Sequence, residues 1–278
     1  MATEESARTH TTFVINDQVN GYPARSVTTE ATGEELSQLV QRGYLVRRGV
    51  LPAHVVTELA DSVHLLAKSE EGKRGAEWVE NESIYLRRLF DKDAAFHQLL
   101  RLEPALSISR ILLGPQVWID LEARMHYPGS PDVAVPWHNH LPVIPEPLPA
   151  FFSYPHQIHC LIYLDRVSEP EGALCLLPGS HTRTGLRIPL GDQSDYNDQV
   201  ELFFEAGDAV LIHGNLWHKT KPSTTAAGHR RLLLLGYVPS WIRGDIGQHG
   251  VAADKPLTAE LARNASWELK ELLGEFNW

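Results

Sequence analysis

Three histidines carry the first chemical suggestion in this chain. His138 and His140 stand two positions apart, and His218 follows 80 positions after His138. In an extended segment the side chains at i and i+2 point the same way, so both imidazoles reach a single metal ion. A third ligand from a distant strand is what a barrel-type site requires. Neutral imidazole suits iron, zinc, copper or nickel, and a facial trio leaves the opposite side of the ion open. Taken singly, a histidine is more often a hydrogen-bonded core or surface residue, and a His-x-His pair arises by chance in a chain with 14 histidines. The clustering weighs the other way, because nine of the 14 lie between His126 and His229.

The surrounding sequence is more specific. Pro136-Trp137-His138-Asn139-His140 comes first, then Glu171-Gly172-Ala173-Leu174-Cys175-Leu176-Leu177-Pro178-Gly179-Ser180-His181. Ala206-Gly207-Asp208-Ala209-Val210-Leu211-Ile212-His213-Gly214, Trp217-His218 and Arg230-Arg231-Leu232 follow in that order. This series resembles the phytanoyl-CoA dioxygenase (PhyH-like) family of Fe(II)/2-oxoglutarate-dependent oxygenases over residues 33–245, most specifically in the Pro-Gly-Ser-His turn and the segment from Gly207-Asp208 to Arg231. The resemblance implies a double-stranded β-helix (jelly-roll, cupin-like) core, iron(II) and 2-oxoglutarate as cofactors, His138 as first ligand and His218 as distal ligand. It also implies that Arg230, 12 positions after His218, pairs with the far carboxylate of 2-oxoglutarate through a planar guanidinium. Arg231 is the alternative for that role. The reaction implied is hydroxylation or a related oxidation of a small organic substrate, such as a natural-product intermediate or an acyl thioester.

One position departs from the family's pattern. Its middle ligand is an aspartate two after the first histidine, and here that position is His140. Asp132 and Glu146 are the nearby acids, and neither has the spacing. Three readings stay open. His140 ligates, giving a three-histidine catalytic site; it swings away and leaves an open position, as in the family's halogenase relatives; or the site is catalytically impaired. Imidazole is bulkier than the small residue that makes room for a halide and is itself a good ligand, which favours ligation. A neutral ligand in place of a carboxylate removes one negative charge and disfavours oxidised iron. The rival functions are a three-histidine metalloenzyme that does not use 2-oxoglutarate, and an impaired family member that binds a metal or small molecule.

Other polar residues have plainer readings. His156 and His159, three apart on one strand, would face opposite sides, so one of them lines the pocket at most. His213 is placed on the strand leading to His218, and His181 is expected to stabilise its own turn. The alternating face Asp120, Glu122, Arg124 and His126 either borders the site or is a solvated sheet face. Cys160 and Cys175 sit in apolar runs and read as small core residues.

The elements that must position these residues change in kind along the chain. Residues 1–30 read as a polar arm. Thr32 caps a helix that Gly43 ends, 44–50 is a strand, and a second helix runs from 51 to about 68 with Val55, Val56, Leu59 and Val63 at helical spacing. A charged loop is expected at 69–82 and further helix at 83–113, with Leu99, Leu100, Leu106, Ile108, Ile111 and Leu112 buried. Short strands then follow at 117–127, 156–164, 172–177, 200–204, 209–213 and 231–238. A Pro-rich loop at 141–155 is expected to cover the pocket, and a closing helix spans 257–276. Helices first and strands later point to an α+β protein. The expected organisation is one oxygenase domain over 1–278: an arm at 1–30, helical support at 33–113, a β-helix core at 117–245 and a C-terminal helix at 255–278.

Composition excludes more than it selects. Lys plus Arg is 25 against 35 Asp plus Glu, a formal net charge of −10, which argues against nucleic acid as a partner. No run of 18 apolar residues suggests a membrane span. Two cysteines and no apolar leader point to a reducing, cytoplasmic setting. The expected partner is a small-molecule substrate, and homo-oligomerisation stays open. A chain of 278 residues buries a core unaided, so a metal would serve chemistry rather than folding.

Overall fold

The computed structural model describes residues 8–15, 25–71, 77–79, 83–140, 156–183, 185–242 and 257–274. The polar N-terminal segment departs from the expected arm. β1 (Arg8–Ile15) and β2 (Arg25–Thr32) pair antiparallel as a two-stranded ribbon. Threonine- and valine-rich stretches fit a pleated ribbon even without strict alternation. Thr32 then caps α1 (Gly33–Arg42): its hydroxyl accepts from the Glu35 N–H at 3.1 Å, and the Glu35 carboxylate accepts from the Thr32 N–H at 2.7 Å. Such reciprocal caps contribute about 1 kcal/mol. Gly43 ends the helix at φ 83°, a left-handed conformation that glycine adopts without strain.

β3 (Tyr44–Arg47) and α2 (Ala53–Glu70) follow as expected, with Val55, Val56, Leu59 and Val63 buried. The next stretch is less helical than its leucines suggest. It holds β4 (Glu77–Val79), β5 (Ser83–Leu86), the single turn α3 (Leu89–Lys92), a 3₁₀ run at Ala94–Arg101 and α4 (Ala105–Leu113). Asp93 breaks the run, its carboxylate accepting from the Ala95 N–H at 2.9 Å, and Pro104 precedes α4. Leu99, Leu100, Leu106 and Ile108 are buried, whereas Ile111 and Leu112 are only partly so.

Eight strands follow: β6 (Val117–His126), β7 (Val135–His138), β8 (Ile158–Tyr163), β9 (Leu174–Leu176), β10 (Val200–Leu202), β11 (Ala209–His213), β12 (His218–Thr220) and β13 (Arg230–Pro239). The closing helix is two helices, α5 (Leu257–Arg263) and α6 (Trp267–Leu272). They are divided where the Ser266 hydroxyl accepts from the Leu269 N–H and caps the second. No helix among the described residues is long and apolar enough to cross a membrane.

The strands form a seven-stranded sheet, ordered β3-β11-β8-β13-β6-β5-β4, and a four-stranded sheet, ordered β10-β9-β12-β7, with every pairing antiparallel. Period-two alternation sorts the large sheet's residues. Ile119, Leu121, Ala123, Cys160, Ile162, Leu211, Leu233 and Leu235 pack with α1, α2 and α4 on its outer face. Leu161, Tyr163, Val210 and Ile212 point inward, onto Leu174 and Leu176 of the small sheet. The small sheet buries Trp137, Cys175 and Leu177 on its own outer side. Both cysteines are buried free thiols, and burial pushes the Cys160 thiol up to about 12.

Candidate metal centre and its cavity

His218 lies directly across the small sheet from His138, in register between β12 and β7. Two residues further along β12, Thr220 pairs with Val135, three before His138, so β7 carries a bulge. Bulges re-aim side chains beside active sites, and here Val135 and His138 both border the cavity that His218 and Thr220 face. The His138 Nδ1–H donates to the Pro136 carbonyl at 2.9 Å, and the His218 Nδ1–H donates to the Leu216 carbonyl at 2.8 Å. Each ring thereby keeps Nε2 bare as a lone-pair donor.

His140 lies just beyond β7. Its N–H donates to the Gly214 carbonyl at 2.7 Å, and its carbonyl accepts from His156 Nε2 at 2.6 Å, so its backbone is held on both sides. Its ring centroid is 5.3 Å from that of His138 and 4.9 Å from that of His218, which are themselves 4.1 Å apart. One nitrogen from each of the three rings lies within 4.8 Å of the other two. The structure therefore brings together all three histidines singled out in the sequence. Burial first, then the neighbouring imidazoles, holds His140 and His218 well below the ordinary imidazole value; burial also lowers His138. Neutral rings are the ligating form, His140 Nδ1 is buried without a partner, and the donor set fits a divalent transition metal.

The expectation that His156 and His159 face apart needs correction. β8 begins at Ile158, so His156 lies outside the strand and is not bound by its alternation. Both residues reach His140: His156 through the hydrogen bond to its carbonyl, His159 by a ring 4.1 Å away. Neither ring nitrogen of His159 has a partner. His213 is buried, accepts from the Asn215 N–H at 3.0 Å and has its ring 4.8 Å from that of His181. His181 does more than steady its turn, since its Nε2 bonds the Val40 carbonyl of α1 at 2.9 Å. The adjacent Ser180 hydroxyl accepts from the Trp217 N–H at 3.0 Å, so the Pro-Gly-Ser-His turn fixes the residue before His218.

The other side of the small sheet is clamped by one loop. Trp137 donates from Nε1 to the Ser194 carbonyl at 2.8 Å. Lys219, its side chain 1% exposed, donates at 2.7 Å to the Gln193 and Ser194 carbonyls and to the Asp195 carboxylate. Trp137 and Lys219 are the chain neighbours of His138 and His218, so a single loop seats both ligand-bearing strands.

The cavity extends from the histidines to the buried Arg230 and the partly exposed Arg124, with about 630 Å³ of empty space, open solvent included. Arg230 points inward from β13. Its Nη1 donates to the Glu171 and Gly172 carbonyls, and its Nη2 donates to His126 Nδ1 at 2.6 Å. Burial lowers Arg230 to about 10, and burial with the two arginines holds His126 well below its ordinary value, so Arg230 is charged and His126 neutral at pH 7. Gly172 is required where its backbone passes the segment after β12: at φ 84°, a Cβ there would lie 2.1 Å from the Lys221 carbonyl oxygen. Arg231 points the other way and forks onto Asp165, Nε to Oδ2 at 2.9 Å and Nη2 to Oδ1 at 2.6 Å. Of the face running from Asp120 to His126, only Arg124 and His126 border the cavity. Glu122 is engaged by Tyr85 and lies 3.7 Å from Arg87. Alternation along β6 puts Arg124 and His126 on one face with Asp120 and Glu122, and spacing alone does not separate the pair that enters the cavity. The segment 141–155 expected to cover the pocket lies outside the described residues.

A double-stranded β-helix with three converging imidazoles and a buried guanidinium in one cavity has the form of a mononuclear non-haem metal oxygenase. The sequence profile described as "Phytanoyl-CoA dioxygenase (PhyH)" matches residues 39–232, and the chain belongs to that family of Fe(II)/2-oxoglutarate-dependent oxygenases. The chain is similar to "Dioxygenase af480" of Aspergillus fumigatus, 28% identical over 184 residues, covering 65% of this chain and 55% of that protein. It is also similar to the "Probable alpha-ketoglutarate-dependent hypophosphite dioxygenase" of Stutzerimonas stutzeri, 25% identical over 189 residues, 62% of this chain and 61% of that one. The chain thus spans less than two thirds of the length of the curated relatives it matches. Among solved structures, HygX from Streptomyces hygroscopicus with nickel and 2-oxoglutarate bound shares the fold. Its TM-score is 0.59 at 19% identity, covering 81% of this chain and 96% of that chain.

Proposed function

We propose that this chain is an Fe(II)/2-oxoglutarate-dependent oxygenase acting on a small organic molecule. His138, His140 and His218 would hold the metal, and Arg230 would hold the far carboxylate of 2-oxoglutarate. The observation that carries this reading is the placement of three neutral imidazoles and one buried, charged guanidinium on the same cavity. Iron bound there would supply the redox chemistry that couples oxidative decarboxylation of 2-oxoglutarate to succinate with oxidation of the substrate. The protein's own part is orientation. Two main-chain carbonyls fix the tautomers of His138 and His218, and His126 and the Glu171 and Gly172 carbonyls aim Arg230. The apolar wall of Leu161, Leu174, Leu232 and Leu234 limits water. A natural-product intermediate or an acyl thioester would fit this class of substrate. The test is succinate formation with iron(II), oxygen and 2-oxoglutarate, measured against metal-free protein. Succinate that requires iron supports the reading; none above the metal-free level sinks it.

One observation favours a second reading. The third imidazole stands where the family carries a carboxylate, and no acid among the described residues borders the cavity. A three-histidine metalloenzyme that does not use 2-oxoglutarate, or an impaired member that binds metal or a small molecule, would bind iron(II) or zinc tightly yet form no succinate.

A further inference from the structure

The proposed cosubstrate accounts for only one of the two arginines in the cavity. Arg230 has three acceptors supplied by the protein. Arg124 is its opposite. It projects from β6 into the same cavity and has no hydrogen-bond or carboxylate partner among the described residues, and its Nε is buried without any. Asp120 and Glu122, on the same strand, do not reach the cavity lining, and no acid is found there among the described residues. Arg124 is half-buried, but its Nε is out of water with no acceptor, which is unfavourable unless something else supplies one.

Charge counting says what that something is. A divalent metal on neutral imidazoles and two guanidiniums carry four positive charges between them, and 2-oxoglutarate returns two negative ones. A carboxylate ligand would cancel a third, but His140 stands in its place. The surplus is positive, the leucines Leu161, Leu174, Leu232 and Leu234 do not neutralise it, and Arg124 brings a planar fork of donors to the same cavity with no protein acceptor among the described residues.

We propose that Arg124 anchors an oxyanion group, a carboxylate, phosphoryl or sulfonyl, on the primary substrate, so that the chain selects anionic small molecules. This rests on the reading that Arg230 takes the cosubstrate. Arg124 is then a specificity-determining residue that receives the substrate beside the metal, while Arg230 receives 2-oxoglutarate further from it.

The test is calorimetric titration of inorganic phosphate and of acetate into zinc-loaded protein, with and without 2-oxoglutarate, in the unaltered chain, Arg124→Met, Arg124→Lys and Arg230→Met. Zinc keeps the site free of turnover. Loss of this guanidinium–oxyanion pair should weaken binding of at least one of the two anions by at least ~30-fold in Arg124→Met. Arg124→Lys should restore part of it, and 2-oxoglutarate affinity should change by less than about threefold, because Arg230 is untouched. Oxyanion binding that is absent in the unaltered chain, or unchanged in Arg124→Met, overturns the proposal. So does 2-oxoglutarate binding that falls as far in Arg124→Met as in Arg230→Met, which would assign Arg124 to the cosubstrate. If 2-oxoglutarate fails to bind the unaltered chain while oxyanion binding still depends on Arg124, the anchor stands and the cosubstrate reading falls.

Discussion

Replacing His140 by alanine separates ligation from mere proximity. Four-ligand zinc sites bind with about 10–16 kcal/mol, so one ligand is worth roughly 2.5–4 kcal/mol, or about two to three orders of magnitude in affinity. The structure argues that little else is lost. The backbone at His140 is held by Gly214 and His156 independently of its side chain, and its Nδ1 is already without a partner. Metal-free stability should therefore change by less than about 1 kcal/mol. Metal-induced stabilisation should not survive. At a zinc concentration of about 1,000 times Kd it amounts to ~4 kcal/mol, and a hundredfold loss of affinity leaves ~1.4 kcal/mol at the same concentration. The assay is urea denaturation with and without zinc, supported by competition titration. His159, whose ring lies 4.1 Å from His140, could substitute as a ligand, so the comparison is repeated in His159→Phe. Zinc affinity within about threefold of the parent in both backgrounds would refute ligation by His140.

Three further outcomes are expected. Asp208→Ala removes acceptors for Arg48, the Gly49 N–H and the Glu205 N–H and should cost about 2–4 kcal/mol in chemical denaturation. These partners hold the Asp208 carboxyl below its ordinary value despite burial, so its contribution is present above about pH 4 and is lost as pH falls through the depressed value. Burial pushes Asp120 up to about 7, so folding binds a proton and stability declines as pH rises from about 4 to 7. Asp120→Asn should therefore gain roughly 1–3 kcal/mol at pH 8 and nothing below about pH 4, read from paired denaturation curves. Gly172→Ala forces a Cβ to within 2.1 Å of the Lys221 carbonyl at a positive φ. It should destabilise by about 2–4 kcal/mol and weaken 2-oxoglutarate binding by displacing an acceptor of Arg230.

What the sequence revealed was what short-range chemistry determines. Thr32, Glu35 and Gly43 announce α1 because a capping box and a left-handed glycine are local devices. The core strands follow from period-two burial, since each residue's face depends only on its neighbours' spacing. The 3₁₀ run at Ala94–Arg101 was hidden because leucine spacing does not separate helix types, and Asp93 breaks the pattern through one side-chain bond. The ribbon of β1 and β2 was hidden because each strand is stabilised by its partner rather than by an apolar stripe. At the site, the three histidines were legible from spacing and surrounding motifs. The closeness of His159 to His140 was not, because it depends on where β8 begins. Nor was the lack of a partner for Arg124 among the described residues, which depends on what fails to surround it.

Arg230 and Arg231 are identical side chains one residue apart on a strand, and a slip of one residue would exchange them. Nothing intrinsic to either says which enters the cavity. The distinction is stored on the helix-covered side: Asp165 takes the Arg231 guanidinium at two points and its main-chain N–H at 2.8 Å, and the Ala60 carbonyl takes a third guanidinium bond at 3.1 Å. Asp165 thus works as a key in a slot, indexing the strand from behind so that the correct arginine faces forward. Variation at Asp165 would leave every cavity residue unchanged in identity and still blur which guanidinium is presented there. The address of the chemistry is kept by a carboxylate on the opposite face of the sheet.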